Sequence, residues 1–175
     1  KQHLHEINPD IVVECVQAIV NEANADLIDA AFSDGKRPDV VLDAIDTIDA
    51  KIELIVHCVR SGLPVLSSMG AARKVQPSEI RFGDISETEI CPLAREVRKR
   101  LRAYGITHGI GCVYSKEPAH KETHRQQSEM GKSLISRPIL GSLITVTGTF
   151  GLRMASECLN IIAENFHSNN QHGID

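Results

Sequence analysis

The chain has 175 residues, a formal net charge of -4, 42% hydrophobic and 24% charged residues, the balance of one soluble globular domain rather than a disordered or fibrous chain. Aromatic residues make up 3% and Trp is absent, so stacking platforms for single-stranded nucleic acid are few, and the acidic total removes any blanket electrostatic case for it. Five cysteines with no C-x-x-C pair argue against a disulfide framework or a paired-cysteine zinc site, and for a reducing, cytoplasmic compartment.

Leu4 and Ile7 on an otherwise polar stretch read as the last turn of a helix. Residues 1–10 lack the apolar core of a secretory signal, and with no starting Met the chain reads as a fragment. The β-branched run 11–16 follows Asn8-Pro9-Asp10 and predicts a strand. A short helix carrying Leu27, Ile28 and Ala31 follows Asn24 and closes at Gly35. The run 40–45 has the length of a central strand buried on both faces. Ile48, Ile52, Ile55, Val56 and Val59 then share one helical stripe that stops at Gly62, before Pro64.

Residues 65–68 predict the next strand, and the small residues 69–72 suit a close backbone approach. The stretch 80–85 alternates as a strand does. A helix starts near Pro92 with Leu93, Val97 and Leu101 inward, and Cys112-Val113-Tyr114 marks another strand. Residues 116–132 hold almost nothing apolar and predict a long exposed loop. The uncharged stretch 138–152 falls short of the about 20 residues that span a bilayer, and reads as a buried helix within a closing helix over 143–166. Alternation of short β-branched runs with helical periodicity predicts an α/β fold, a mostly parallel sheet flanked by helices.

Asp46 is the first candidate for chemistry. It lies just past the carboxyl end of a buried strand and at the start of a helix, where open α/β sheets bind ligands. A carboxylate there suits a magnesium ion bridging phosphates. It also suits an N-cap, with Asp49 three residues on as in a capping box, and the two roles are compatible. Asp43 falls inside the strand run, where a lone carboxylate is costly, and is expected to serve as a hydrogen-bond partner at the sheet end.

Arg95, Arg98, Lys99, Arg100 and Arg102 against Glu96 alone make one basic helix face, either simply solvated or a contact for phosphate backbones. His120 and His124, with Cys112 some way upstream, have no second cysteine at ligand spacing and fall in the polar loop, a poor zinc set. Cys91 before Pro92 sits near a helix N-terminus, a position that favours thiolate. No G-x-S-x-G, P-loop or G-x-G-x-x-G motif occurs.

The order Ile7-Asn8-Pro9, Val40-Val41-Leu42-Asp43-Ala44-Ile45-Asp46 with Lys51, Gly70-Ala71-Ala72, Pro77-Ser78-Glu79-Ile80, Asp84-Ile85-Ser86, Pro92-Leu93-Ala94 with Arg98, and Val113-Tyr114-Ser115-Lys116-Glu117 resembles the carboxyl-terminal two-thirds of the ThiF/MoeB/HesA superfamily. Within it, the resemblance is to the tRNA threonylcarbamoyladenosine dehydratases. It implies a Rossmann-like sheet that lacks its N-terminal glycine-rich βα units and gains an antiparallel strand region. Residues 1–70 would be the remainder of a nucleotide-binding sheet, and 71–175 a substrate and dimer region with the loop 116–132.

The resemblance further implies ATP-dependent adenylation of the threonylcarbamoyl carboxylate on a tRNA adenosine, then ring closure with loss of AMP. Asp46 falls on the superfamily's aspartate that supports magnesium and ATP. Ile19 falls where an aliphatic residue lines the adenine, and Arg98 and Arg102 are candidates for tRNA contact. The superfamily's glycine-rich loop, ribose-binding acid and phosphate-binding arginine and lysine have no counterpart among these residues, so the chain alone is expected to be inactive. Cys91 stands where an acidic residue is common, as does Gln76. A homodimer, a sulfur-transfer or sulfur-carrier partner and the absence of a membrane span complete the expectations. Two alternatives remain at this level: a sulfur-carrier-protein adenylyltransferase, and a non-catalytic dimerisation or docking module.

Overall fold

A computed structural model describes residues 1–21, 37–118 and 141–171. Its elements in chain order are α1 (Gln2–Ile7), β1 (Val41–Asp43), α2 (Ile48–Arg60), β2 (Val65–Ser68), β3 (Ile80–Asp84), α3 (Pro92–Leu101), β4 (Gly111–Ser115) and α4 (Ile144–Gln171). The four strands form one sheet in the order β1-β2-β4-β3. β1, β2 and β4 run parallel, and β3 is the added antiparallel strand, with Phe82 opposite Val113. Strands from both sides of residue 70 share this sheet.

Alternation of side chains along the strands divides the core into two. Val65, Cys112 and Tyr114 face α2 and α3, joining Ile52, Ile55, Cys58, Val97 and Leu101. Leu66 and Val113 face the opposite way and meet Val146, Phe150 and Met154 of α4 at helical spacing. The result is three layers, with helices on both faces of the sheet. Gly111 is required by this packing, because a Cβ there would lie 2.6 Å from Leu66 Cδ2 and 2.9 Å from Phe82 Cζ. α2 stops at Gly62, whose φ of +62° takes the left-handed conformation that glycine adopts freely.

Several sequence expectations are revised. Residues 11–16 form no strand: Val12 is 87% exposed, and among the described residues no neighbouring strand offers the run a ladder. β1 is an edge strand of three residues with Leu42 half exposed, not a central one, since β2 is its only neighbour among the described residues. α4 is not buried throughout; it covers the sheet with one narrow stripe and leaves Ile144, Leu152, Leu159 and Phe166 exposed. No helix among the described residues is long and apolar enough to cross a membrane. The expected helix after Asn24 and the pair His120 and His124 lie outside the described residues.

The exposed-loop expectation for 116–132 fails at its start, the rest of that stretch from 119 on lying outside the described residues. Glu117 is buried, and its carboxylate accepts the backbone N–H groups of Val75 and Gln76, each at 2.9 Å to Oε2. Lys74 beside it is buried as well, and its Nζ donates to the carbonyls of Ser115 and Glu117. Burial lowers the pKa of the Lys74 ammonium, against the raising influence of Cys91 and Glu117.

The turn after β3 is knotted by Asp84. Its Oδ1 accepts the N–H and hydroxyl of Ser86, and its Oδ2 accepts the N–H groups of Gly109 and Ile110 at 2.6 and 3.0 Å. Partial burial raises the pKa of this carboxyl, and the hydrogen bonds from Ser86, Gly109 and Ile110 outweigh it, so the net shift is downward. A depressed carboxyl pKa contributes stability above the unfolded-state value that is lost as pH falls through the folded-state value. Asp84→Asn is therefore expected to flatten the acid limb of the stability curve below the ordinary carboxylate range, measured by urea unfolding at a series of pH values. An unchanged acid limb would count against it.

Candidate functional site

The carboxyl ends of β1 and β2 carry the chemistry-bearing residues. Asp43 ends β1 beside Ser67 of β2, in register. Both side chains are fully buried, and so is Lys51 on the second turn of α2. Lys51 Nζ donates to Asp43 Oδ2 at 2.5 Å, to Ser67 Oγ at 3.2 Å and to the Ser68 carbonyl at 3.0 Å. Ser67 Oγ donates to the same Asp43 oxygen at 2.6 Å, while Asp43 Oδ1 accepts the N–H of Ile45 at 3.0 Å. The expectation of a sheet-end partner role for Asp43 thus has its geometry. Sequence reasoning missed Lys51 as the neutralising cation, although a buried carboxylate calls for one.

Three residues past Asp43, Asp46 stands exposed at the mouth of this end of the sheet. It does not cap α2. The N-cap is Thr47, in extended conformation, and no side chain caps the helix start, so the capping-box reading of Asp46 with Asp49 is overturned. The helix begins where the apolar stripe begins, at Ile48, one residue too late for Asp46 to reach its amides. Asp46 Oδ1 accepts only the Thr47 hydroxyl, at 3.3 Å, among the described residues. An accessible carboxylate beside a helix N-terminus at a strand end can share a cation with phosphate oxygens. Among the described residues no group of three His, Cys, Asp or Glu side chains could hold a metal ion without such help.

α3 reaches the same region, because Arg100 pairs with Asp49 in the first turn of α2 as well as with Glu96 at 3.0 Å. Arg95, Lys99 and Arg102 are exposed on it. Arg98 is turned inward instead, its Nη1 donating to the Thr88 carbonyl at 2.7 Å, to the Thr88 hydroxyl and to Ile85. Arg98 and Arg102 line one cavity with Ser86, Thr107 and His108. Ile19 is 77% exposed, next to Val20, which packs on the core. Cys91 is the N-cap of α3 and is buried at 2% exposure, against the accessibility that a reactive thiol needs. Burial pushes the Cys112 thiol pKa far up, which keeps that residue inert.

The chain is 33% identical over 175 residues to the tRNA threonylcarbamoyladenosine dehydratase 1 of Saccharomyces cerevisiae, covering 93% of this chain and 39% of that protein. It is 33% identical over 140 residues to the tRNA threonylcarbamoyladenosine dehydratase of Bacillus subtilis, covering 76% of this chain and 53% of the relative. The crystal structure of the Escherichia coli tRNA N6-threonylcarbamoyladenosine dehydratase in complex with ATP superimposes with a TM-score of 0.77 at 26% identity, over 95% of this chain and 63% of that one. The chain thus spans about half the length of the curated relatives. Residues 1–174 match the ThiF family, and the chain belongs to it.

Proposed function

We propose that this chain is the part of an ATP-dependent tRNA threonylcarbamoyladenosine dehydratase that supplies the catalytic carboxylate. The observation that carries the reading is Asp46: a carboxylate free of capping duty, exposed at the carboxyl end of a strand of a ThiF-type sheet. In this reaction an oxygen of the threonylcarbamoyl carboxylate attacks the α-phosphorus of ATP and releases pyrophosphate. The carbamoyl oxygen then attacks the activated acyl carbon, AMP leaves, and the ring closes with net loss of one water. Asp46 provides the fixed negative charge that would hold a magnesium ion against the triphosphate; when bound, that ion neutralises the charge developing on phosphorus. Ile19, exposed and apolar, is the candidate for the face of the adenine.

The test is to incubate the complete enzyme carrying this chain with ATP and threonylcarbamoyladenosine-containing tRNA, and to follow AMP release and loss of water from the nucleoside by mass spectrometry. AMP release that requires the modified tRNA supports the reading; a sulfur-carrier protein serving as acceptor in its place would sink it. The 175-residue polypeptide by itself is expected to show no turnover, because the phosphate-cradling glycine loop has no counterpart among its residues.

For the RNA, the exposed face of α3 is the candidate contact, and the inward orientation of Arg98 leaves Arg102 as the better placed of the two arginines. Arg102→Glu is expected to weaken tRNA binding and to lower the slope of log affinity against log salt by about 1 to 2, as loss of one phosphate contact and gain of a repulsion would. Fluorescence anisotropy across a salt series reads this out, and an unchanged slope removes α3 from the interface. The exposed Leu152, Leu159 and Phe166 of α4 offer an apolar surface for a second copy of the chain, the homodimer that the resemblance implies.

A further inference from the structure

We infer that Asp43, Lys51 and Ser67 form a positioning network that fixes where Asp46 stands. The inference rests on the reading of Asp46 given above. Asp43 lies three residues before Asp46 and Lys51 five residues after it, so the connection that carries Asp46 is pinned on both flanks. Both pins go to the end of the neighbouring strand. Lys51 spends its three N–H donors on Asp43, Ser67 and the Ser68 carbonyl. Asp43 answers with Oδ2 to Lys51 and Ser67, and with Oδ1 to the N–H of Ile45, which bends the chain immediately after β1.

Every side chain in this network is shielded from water, at 0% exposure, whereas Asp46 itself accepts, among the described residues, a single hydrogen bond, from the hydroxyl of its neighbour. A carboxylate meant to meet a ligand cannot be held by hydrogen bonds that occupy its own oxygens. It is held through its flanks instead. Buried ion pairs are often replaceable by apolar residues without loss of stability, so stability alone does not account for an Asp, a Lys and a Ser converging here.

Ser67→Ala is the discriminating variant, because it removes the hydroxyl that bridges Asp43 and Lys51 without stranding a buried charge. In ATP–pyrophosphate exchange by the complete enzyme, it is expected to lower kcat by about tenfold, the scale of a sub-ångström misplacement, with KM for ATP moved by less than about twofold. In an Asp46→Ala background the same change is expected to cost nothing further. Equal losses in both backgrounds would show a merely structural network and overturn the inference.

Amide hydrogen exchange on the 175-residue chain gives an independent reading. Ile45 N–H is expected to exchange about tenfold faster in Ser67→Ala while the amides of β4 keep their rates, and an unaltered Ile45 would overturn the inference. Should Asp46→Ala itself leave exchange activity intact, the reading of Asp46 falls, and this inference with it. Should Asp46→Ala inactivate while Ser67→Ala runs at full rate, the positioning role alone falls.

Discussion

Asp46→Ala is expected to reduce adenylate formation by roughly 10²–10³-fold, the loss seen when one preorganised electrostatic stabiliser is taken from a transition state. The fold should not register the change. Asp46 is exposed, caps nothing, and gives up only a 3.3 Å contact with the Thr47 hydroxyl. An exposed substitution of that kind ordinarily moves stability by about 0.5 kcal/mol or less. The pairing of a large kinetic effect with a silent unfolding curve separates a residue that meets the substrate from one that supports the sheet. ATP–pyrophosphate exchange and thermal unfolding, run on the same preparation, supply both numbers. A variant that keeps its exchange rate would leave the site without its central residue.

Lys51→Met should behave in the opposite way, with its first effect on stability. The substitution leaves the Asp43 carboxylate at 0% exposure with the Ser67 hydroxyl and one backbone amide for company. Breaking a buried pair by removing one partner costs about 3–5 kcal/mol, since the remaining charge has neither water nor counter-ion. Urea unfolding of the chain is expected to show a shift of that size, with Asp43→Leu in the same molecule recovering most of it. The recovery follows because the charge has then gone as well. A destabilisation under about 1 kcal/mol would mean that water reaches the pair, contrary to its burial.

Much of the architecture was legible because it is written in local pattern. The stripe on α2, the alternation of β3 and the apolar run of β4 each carry their own period, and Pro92 marks a helix start that needs no tertiary knowledge. The failures share a cause. Whether 11–16 is a strand, and whether β1 is central, depends on which neighbour the chain finds, and residue identity alone does not specify a neighbour. Asp46 and Thr47 are both good cap residues, so sequence could not tell which one the helix uses; the onset of the buried stripe at Ile48 decided it. Arg98 looked like surface charge because its acceptors, the carbonyls of Ile85 and Thr88 and the Thr88 hydroxyl, are brought to it by a turn whose path the sequence does not display. Lys51 was within reach of a simple question, namely what neutralises the acid buried in β1.

The junction at residues 73–76 has a consequence for how this protein tolerates change. Lys74, Val75 and Gln76 fasten Glu117, and the N–H of Arg73 donates to the carbonyl of Gly141 at 3.0 Å. Glu117 just past β4 and Gly141 just before α4 are thus fastened to one short segment. A substitution that displaces residues 73–76 is therefore expected to be felt at both places at once, at the end of β4 and at the approach to α4.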